Sequence, residues 1–229
     1  MPRPTLATLE DVEYPDSDGL PMAESEFQFN PIVYAVGALR NHFHEHDDVY
    51  VVGNLLLYYE EGNRSASVSP DVFVVFGAPN HTRSSYLLWQ ERKAPDWVLE
   101  VTSRSTRQVD QGRKRYLYAR LGIPEYWQYD PTGDYLDPTL QGFALSDGRY
   151  DTALILEEVD GVLSAYSPVL GLNLRLDEGV LRLHDPLRDE YLLTHQEAAA
   201  RLRESEQARQ EAEARLAELE ARFRALQRE

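Results

Sequence analysis

Residues 95–131, P-D-W-V-L-E-V-T-S-R-S-T-R-Q-V-D-Q-G-R-K-R-Y-L-Y-A-R-L-G-I-P-E-Y-W-Q-Y-D-P, constrain the chain more than any other stretch. A short apolar run, 97–101, carries one carboxylate, Glu100, near its end. A polar turn follows, with Ser103, Ser105 and Thr106, and then a helical pattern that stops at Gly122. A second apolar run, 125–129, closes the stretch before Asp130-Pro131. The period switches from extended to helical and back within one crossover, which predicts strand, turn, helix, strand. A carboxylate at the end of such a strand, facing the next helix, is a common place for chemistry.

The rest of the chain supplies partners for that unit. A helix is expected over 31–43, where Ile32, Val36, Leu39 and Phe43 recur at helical spacing. Residues 49–52 and 55–59 read as strands, with Gly53-Asn54 predicting a tight hairpin between them. Residues 71–76, D-V-F-V-V-F, read as a central strand because nearly every position is apolar. Residues 79–93 read as a polar connection. Beyond Pro131, short runs at 142–145, 150–156, 162–165, 172–176 and 180–183 predict an antiparallel extension of the same sheet. Residues 196–229 contain no Gly or Pro, and seven Arg balance seven Glu over 201–229. They predict a helical tail whose heptad seam is interrupted at Ser205 and Arg209. The expected division is therefore a domain over 1–194 and a tail over 195–229.

Composition excludes several classes. There is no cysteine, so thiolate catalysis, disulfides and cysteine-ligated zinc are ruled out. No run reaches the roughly 18 apolar residues of a membrane span, and the first twenty residues lack a signal-peptide core; the expectation is a soluble cytoplasmic protein. A formal net charge of -16 argues against a simple nucleic-acid-coating protein but permits a local basic cleft. Such a rim is expected from Arg104, Arg107, Arg113, Lys114, Arg115 and Arg120, which face only Asp110 among acids over 101–121. His42 and His46 lie one turn apart in H-F-H-E-H but lack the H-E-x-x-H order, so a solvated helix end is expected. Trp89, Trp97 and Trp127 are expected in packing rather than base stacking.

If the strands at Asp71 and Glu100 are neighbours, two carboxylates stand at one sheet edge, a suitable place for a hard divalent cation, Mg²⁺ or Mn²⁺. Asp110, Lys114 and Tyr118 are spaced i, i+4, i+8 and share a helix face, from which Lys114 can reach the acids. Two carboxylates, a metal and a lysine are what phosphodiester hydrolysis requires. Paired acids also serve glycosidases, but the lysine and the basic rim count against that chemistry.

P-D followed by E-x-x and a lysine resembles the restriction-endonuclease-like superfamily, with its P-D…(D/E)-x-K signature. More narrowly, P-M-A-E-S-E at 21–26, S-P-D-V-F-V-V-F-G at 69–77, the 95–131 stretch and V-L-G-L-N-L-R-L at 169–176 resemble the Uma-two family of restriction endonucleases. The resemblance covers about residues 20–195. It implies an α/β restriction-endonuclease-like core, a central mixed sheet flanked by helices. It also implies a metal-dependent endonuclease acting on DNA, with Asp71 and Glu100 as metal ligands, Lys114 as electrostatic catalyst and Glu24 as a further ligand or base. Two departures stand out: Thr102 occupies the usual lysine position of E-x-K, and Gln28 stands where the family often has histidine. They keep open an alternative, an inactive relative that assembles through its C-terminal helix as a homo-oligomer.

Overall fold

The computed structural model describes residues 14–15, 25–103, 109–159 and 161–226. The chain divides into two compact units, Met1–Leu192 and Leu193–Glu229.

The first unit is built on a six-stranded mixed sheet, ordered β1-β4-β6-β7-β8-β9. Its strands are β1 (Val49–Gly53), β4 (Val72–Phe76), β6 (Trp97–Val101), β7 (Glu125–Tyr129), β8 (Leu140–Ser146) and β9 (Arg149–Ala153). Within this sheet β6 and β7 pair in parallel, while β1–β4, β4–β6, β7–β8 and β8–β9 are antiparallel. Strands β4, β6 and β7 are buried on both faces; β4 is apolar throughout, whereas β6 and β7 bury Glu100, Glu125 and Gln128 among their apolar residues.

Alternation sends Val72, Val74, Trp97, Leu99 and Trp127 to one face. There they meet α1 (Glu26–His42) through Ile32, Ala35, Ala38 and Leu39, together with a second sheet. That sheet, ordered β10-β11-β12-β13-β14, comprises Glu157–Val159, Val162–Ser167, Leu172–Asp177, Val180–Asp185 and Glu190–Tyr191. Phe73, Val75, Val98, Tyr126 and Phe143 face the other way, onto Tyr118 of α3 (Arg115–Arg120). Leu57 of β2 (Leu57–Tyr58) and Tyr86 of β5 (Tyr86–Leu87) join them; these strands form a small sheet with β3 (Ser67–Val68). Helix α2 is a single turn, Leu88–Glu91.

Three expectations change. The Gly53-Asn54 hairpin does not form: β1 pairs with β4, while β2 belongs to the small sheet. Asn54 adopts φ 52° and donates its N–H to the Pro70 and Asp71 carbonyls, turning the chain away from β1. Only β8 and β9 extend the central sheet; β10–β14 form a separate layer across the core. Helix α1 begins at Glu26, with Pro31 inside it rather than at its start.

The second unit is dominated by α4 (His195–Leu226), 32 residues long. A capping box starts it: the Glu197 N–H donates to Thr194 Oγ, and Glu197 Oε2 accepts from the Thr194 N–H. Leu202, Leu216, Leu219 and Phe223 are all exposed along it.

Candidate active site

The pairing of β4 with β6 places Asp71. Val72 lies opposite Leu99 and Phe73 opposite Val98, so one further step of this antiparallel register brings Asp71 opposite Glu100. Asp71 lies two residues before Phe73, and Glu100 two after Val98. Both carboxylates therefore rise from the α3 face of the sheet. Asp71 Oδ2 accepts the Val101 N–H at 2.7 Å, which locks the end of β6 to the start of β4.

Glu100 is fully buried. Its neutralising partner arrives from the crossover: Lys114 Nζ donates to Glu100 Oε2 at 2.7 Å, and the lysine is itself largely buried. The other oxygen, Oε1, accepts the Tyr118 hydroxyl at 2.5 Å. Lys114 ends a π-helical segment, Val109–Lys114, that runs directly into α3. Lys114 and Tyr118 stand four residues apart, so one helical face delivers an ammonium and a hydroxyl to the same carboxylate. Burial, reinforced by the negative Glu100 beside it, holds the Tyr118 hydroxyl well above the ordinary tyrosine range. It remains protonated and able to donate.

Asp71, Glu100 and Lys114 thus come together. Glu24 lies outside the described residues, as do Arg104, Arg107 and the Asp110 side chain. Two members of the expected basic rim are engaged elsewhere. Arg115 packs over the Phe143 ring and donates to the Tyr150 carbonyl, and Arg120 sits 3.6 Å from Glu60. Arg113 is exposed. His44 and His46 are exposed, and burial lowers the affinity of His42 for protons. No group of three metal-ligating side chains occurs among the described residues. Trp97 and Trp127 are fully buried in the core.

Sequence reasoning gave Tyr118 a place on the helix face but no partner. It passed over Gln128, which the parallel register sets beside Glu100 on the same sheet face. Period-two alternation from Tyr126 could have found it.

The donor set suits a hard cation that keeps several waters. Such an ion is held by one or two carboxylates together with substrate phosphates, and Asp71 and Glu100 are the pair that would do so here.

No curated protein matches the chain significantly. A solved structure described as a "putative nuclease belonging to DUF820", from Anabaena variabilis ATCC 29413, is similar at a TM-score of 0.48 and 15% identity. That match covers 72% of this chain and 91% of the other. The Uma2 family model, described as "Putative restriction endonuclease", matches residues 5–177, a span that contains the whole central sheet and every site residue above. The chain belongs to the Uma2 family.

Proposed function

We propose that the chain is a divalent-metal-dependent endonuclease that hydrolyses phosphodiester bonds of DNA. The observation that carries this reading is the convergence on one sheet face of Asp71 and Glu100 from neighbouring strands, with Lys114 Nζ 2.7 Å from Glu100. Family membership supplies the reaction class.

Asp71 and Glu100 would hold the ion, Mg²⁺ or Mn²⁺, which when bound activates water and neutralises charge on the phosphate. Each carboxylate has about four lone-pair directions, so Glu100 can accept from Lys114 and Tyr118 and still present one to a cation. Lys114 balances the buried Glu100 charge in the resting site. From that position the ammonium could also serve the attacking water or charge developing at phosphorus. Tyr118 fixes the orientation of Glu100, and the Val101 N–H fixes that of Asp71. Glu24 remains a candidate further ligand or base.

No helix among the described residues is long and apolar enough to cross a membrane, and the reading assigns the work to the cytoplasm. The exposed Leu216, Leu219 and Phe223 recur at 3- and 4-residue spacing, the seam of a helix pair, and support homo-oligomers through α4.

Supercoiled plasmid, single-stranded DNA and RNA incubated with Mg²⁺, Mn²⁺ or EDTA test the reading. Metal-dependent nicking of plasmid that EDTA stops and Asp71→Ala abolishes is expected. Failure to cut with any metal, or cutting undiminished in Asp71→Ala, would leave the non-catalytic assembly protein as the better reading.

A further inference from the structure

The site face carries two more buried polar side chains. Register sets Gln128 of β7 beside Glu100 of β6. The ladder continues past the end of β6, because the Thr102 N–H donates to the Tyr129 carbonyl at 2.7 Å. Alternation then places Thr102, Glu100 and Gln128 on the face of Val98 and Tyr126, next to Asp71. Gln128 and Thr102 are each 1% exposed. Neither Gln128 Nε2 nor Thr102 Oγ has a hydrogen-bond partner among the described residues.

A buried donor with no acceptor is disfavoured, and an apolar side chain of similar shape would pack there without penalty. Among the described residues other buried nitrogens also lack a partner, including Trp97 Nε1 on the opposite sheet face and His42 Nδ1 on α1, but neither of these stands on the site face. Glu125, also on β7 but facing the other way, accepts from Trp127 Nε1, Ser167 Oγ and the Val169 N–H. The unmatched pair falls on adjacent strands beside the carboxylates, where a ligand would have to reach. Its chemistry defines that ligand. The amide N–H₂ can only donate and offers a cation nothing, and the Thr102 hydroxyl can donate beside it, so together they suit an anionic oxygen. Of the groups expected at this site, the phosphate oxygen fits.

We propose that Gln128 is a substrate-binding residue, its carboxamide donating to a non-bridging oxygen of the scissile phosphate, with the Thr102 hydroxyl as a second donor beside it. The proposal rests on the nuclease reading and deepens it. Thr102 stands where the superfamily pattern places lysine, so a neutral donor occupies the strand position while Lys114 brings the charge from the helix. Division of labour follows: carboxylates for the cation, Lys114 for charge, Gln128 and Thr102 for the orientation of the phosphate.

The test uses the full chain, with Gln128→Leu, Gln128→Glu and Thr102→Val beside the parent. Three quantities are read: the metal-free melting temperature, Mn²⁺ affinity by calorimetry, and affinity for a short DNA duplex in Ca²⁺ by fluorescence anisotropy. Gln128→Leu is expected to melt no lower than the parent, to bind Mn²⁺ equally, and to lose about tenfold or more in duplex affinity. Thr102→Val shows the same pattern with a smaller loss. Gln128→Glu is expected to bind Mn²⁺ more tightly and the duplex more weakly, because it trades a donor for a carboxylate. A melting temperature several degrees lower in Gln128→Leu would show the amide bonded within the fold and overturn the proposal. So would a duplex affinity within twofold of the parent. A parent that binds neither Mn²⁺ nor duplex overturns the nuclease reading itself, a failure visible before any variant is compared.

Discussion

Glu100 meets an ammonium on one oxygen and a hydroxyl on the other, both from the same helix face. Removing one partner of a buried ion pair leaves a charge without compensation, a loss of about 3–5 kcal/mol. Lys114→Met should therefore lower the melting temperature of the metal-free protein, and saturating Mn²⁺ should restore more of it in the variant than in the parent. At saturating metal, nicking by Lys114→Met should fall by roughly 10²–10³, the usual effect of losing one preorganised electrostatic group. Mn²⁺ affinity should be kept or raised, since a competing cation has gone. Unchanged nicking would transfer the role to Arg113. Tyr118→Phe tests positioning in the same way: Mn²⁺ binding weakens while the fold persists, because the Glu100 carboxylate loses the donor that orients it. Asp71 and Glu100 could be paired from sequence because two apolar runs each carry one acid at the end. Helical spacing also brought Lys114 to the acids, whereas Tyr118 shared that face with no partner assigned, and the π-helical segment that ends at Lys114 departs from the 3.6-residue period.

Several strings that read as a signature are explained by packing rather than chemistry. In E-Y-W, Glu125 and Trp127 face the second sheet, where the carboxylate ties Ser167 and Val169 to β7. A Cβ at position 142 would come 2.5 Å from the Trp127 ring, which requires glycine there. Glu125→Gln should then destabilise the first unit by about 2 kcal/mol, because an amide N–H₂ confronts donors that need an acceptor. Mn²⁺ affinity should not change, and urea unfolding beside calorimetry separates the two effects. In D-P, Asp130 accepts the N–H groups of Thr132, Gly133, Tyr135 and Leu136 and the Thr132 hydroxyl, organising the loop that leads into β8. Burial alone would raise its carboxyl, but these donors outweigh burial and hold it below the ordinary aspartate value. Its stabilisation is thus complete above about pH 4 and lost as pH falls through the depressed value. Asp130→Asn should show a urea midpoint lower than the parent's at pH 7 and a smaller decline below pH 4. The apolar runs made most strands legible, but their partners were not: Gly53-Asn54 read locally as a hairpin, whereas the Pro70 and Asp71 carbonyls capture Asn54 instead.

At the scale of the whole molecule, a strongly acidic chain is expected to act on a polyanion, which demands that its acids be neutralised where they meet substrate. The tail contributes nothing to that balance, because its arginines and glutamates cancel in i, i+4 pairs such as Glu218–Arg222 and Glu220–Arg224. Its helix was legible from composition alone. Deleting residues 195–229 should leave the melting temperature of the remainder nearly unchanged while shifting its mass in solution from oligomer to monomer. A loss of several degrees would show that the helix belongs to the core. The acid pair itself is most directly tested by titrating Mn²⁺ into the parent, Asp71→Asn, Glu100→Gln and, as a control, the exposed Asp151→Asn, with calorimetry as the readout. One site is expected in the parent and in Asp151→Asn, and its loss in both Asp71→Asn and Glu100→Gln. Equal Mn²⁺ binding in all four proteins, or none in the parent, would contradict this expectation.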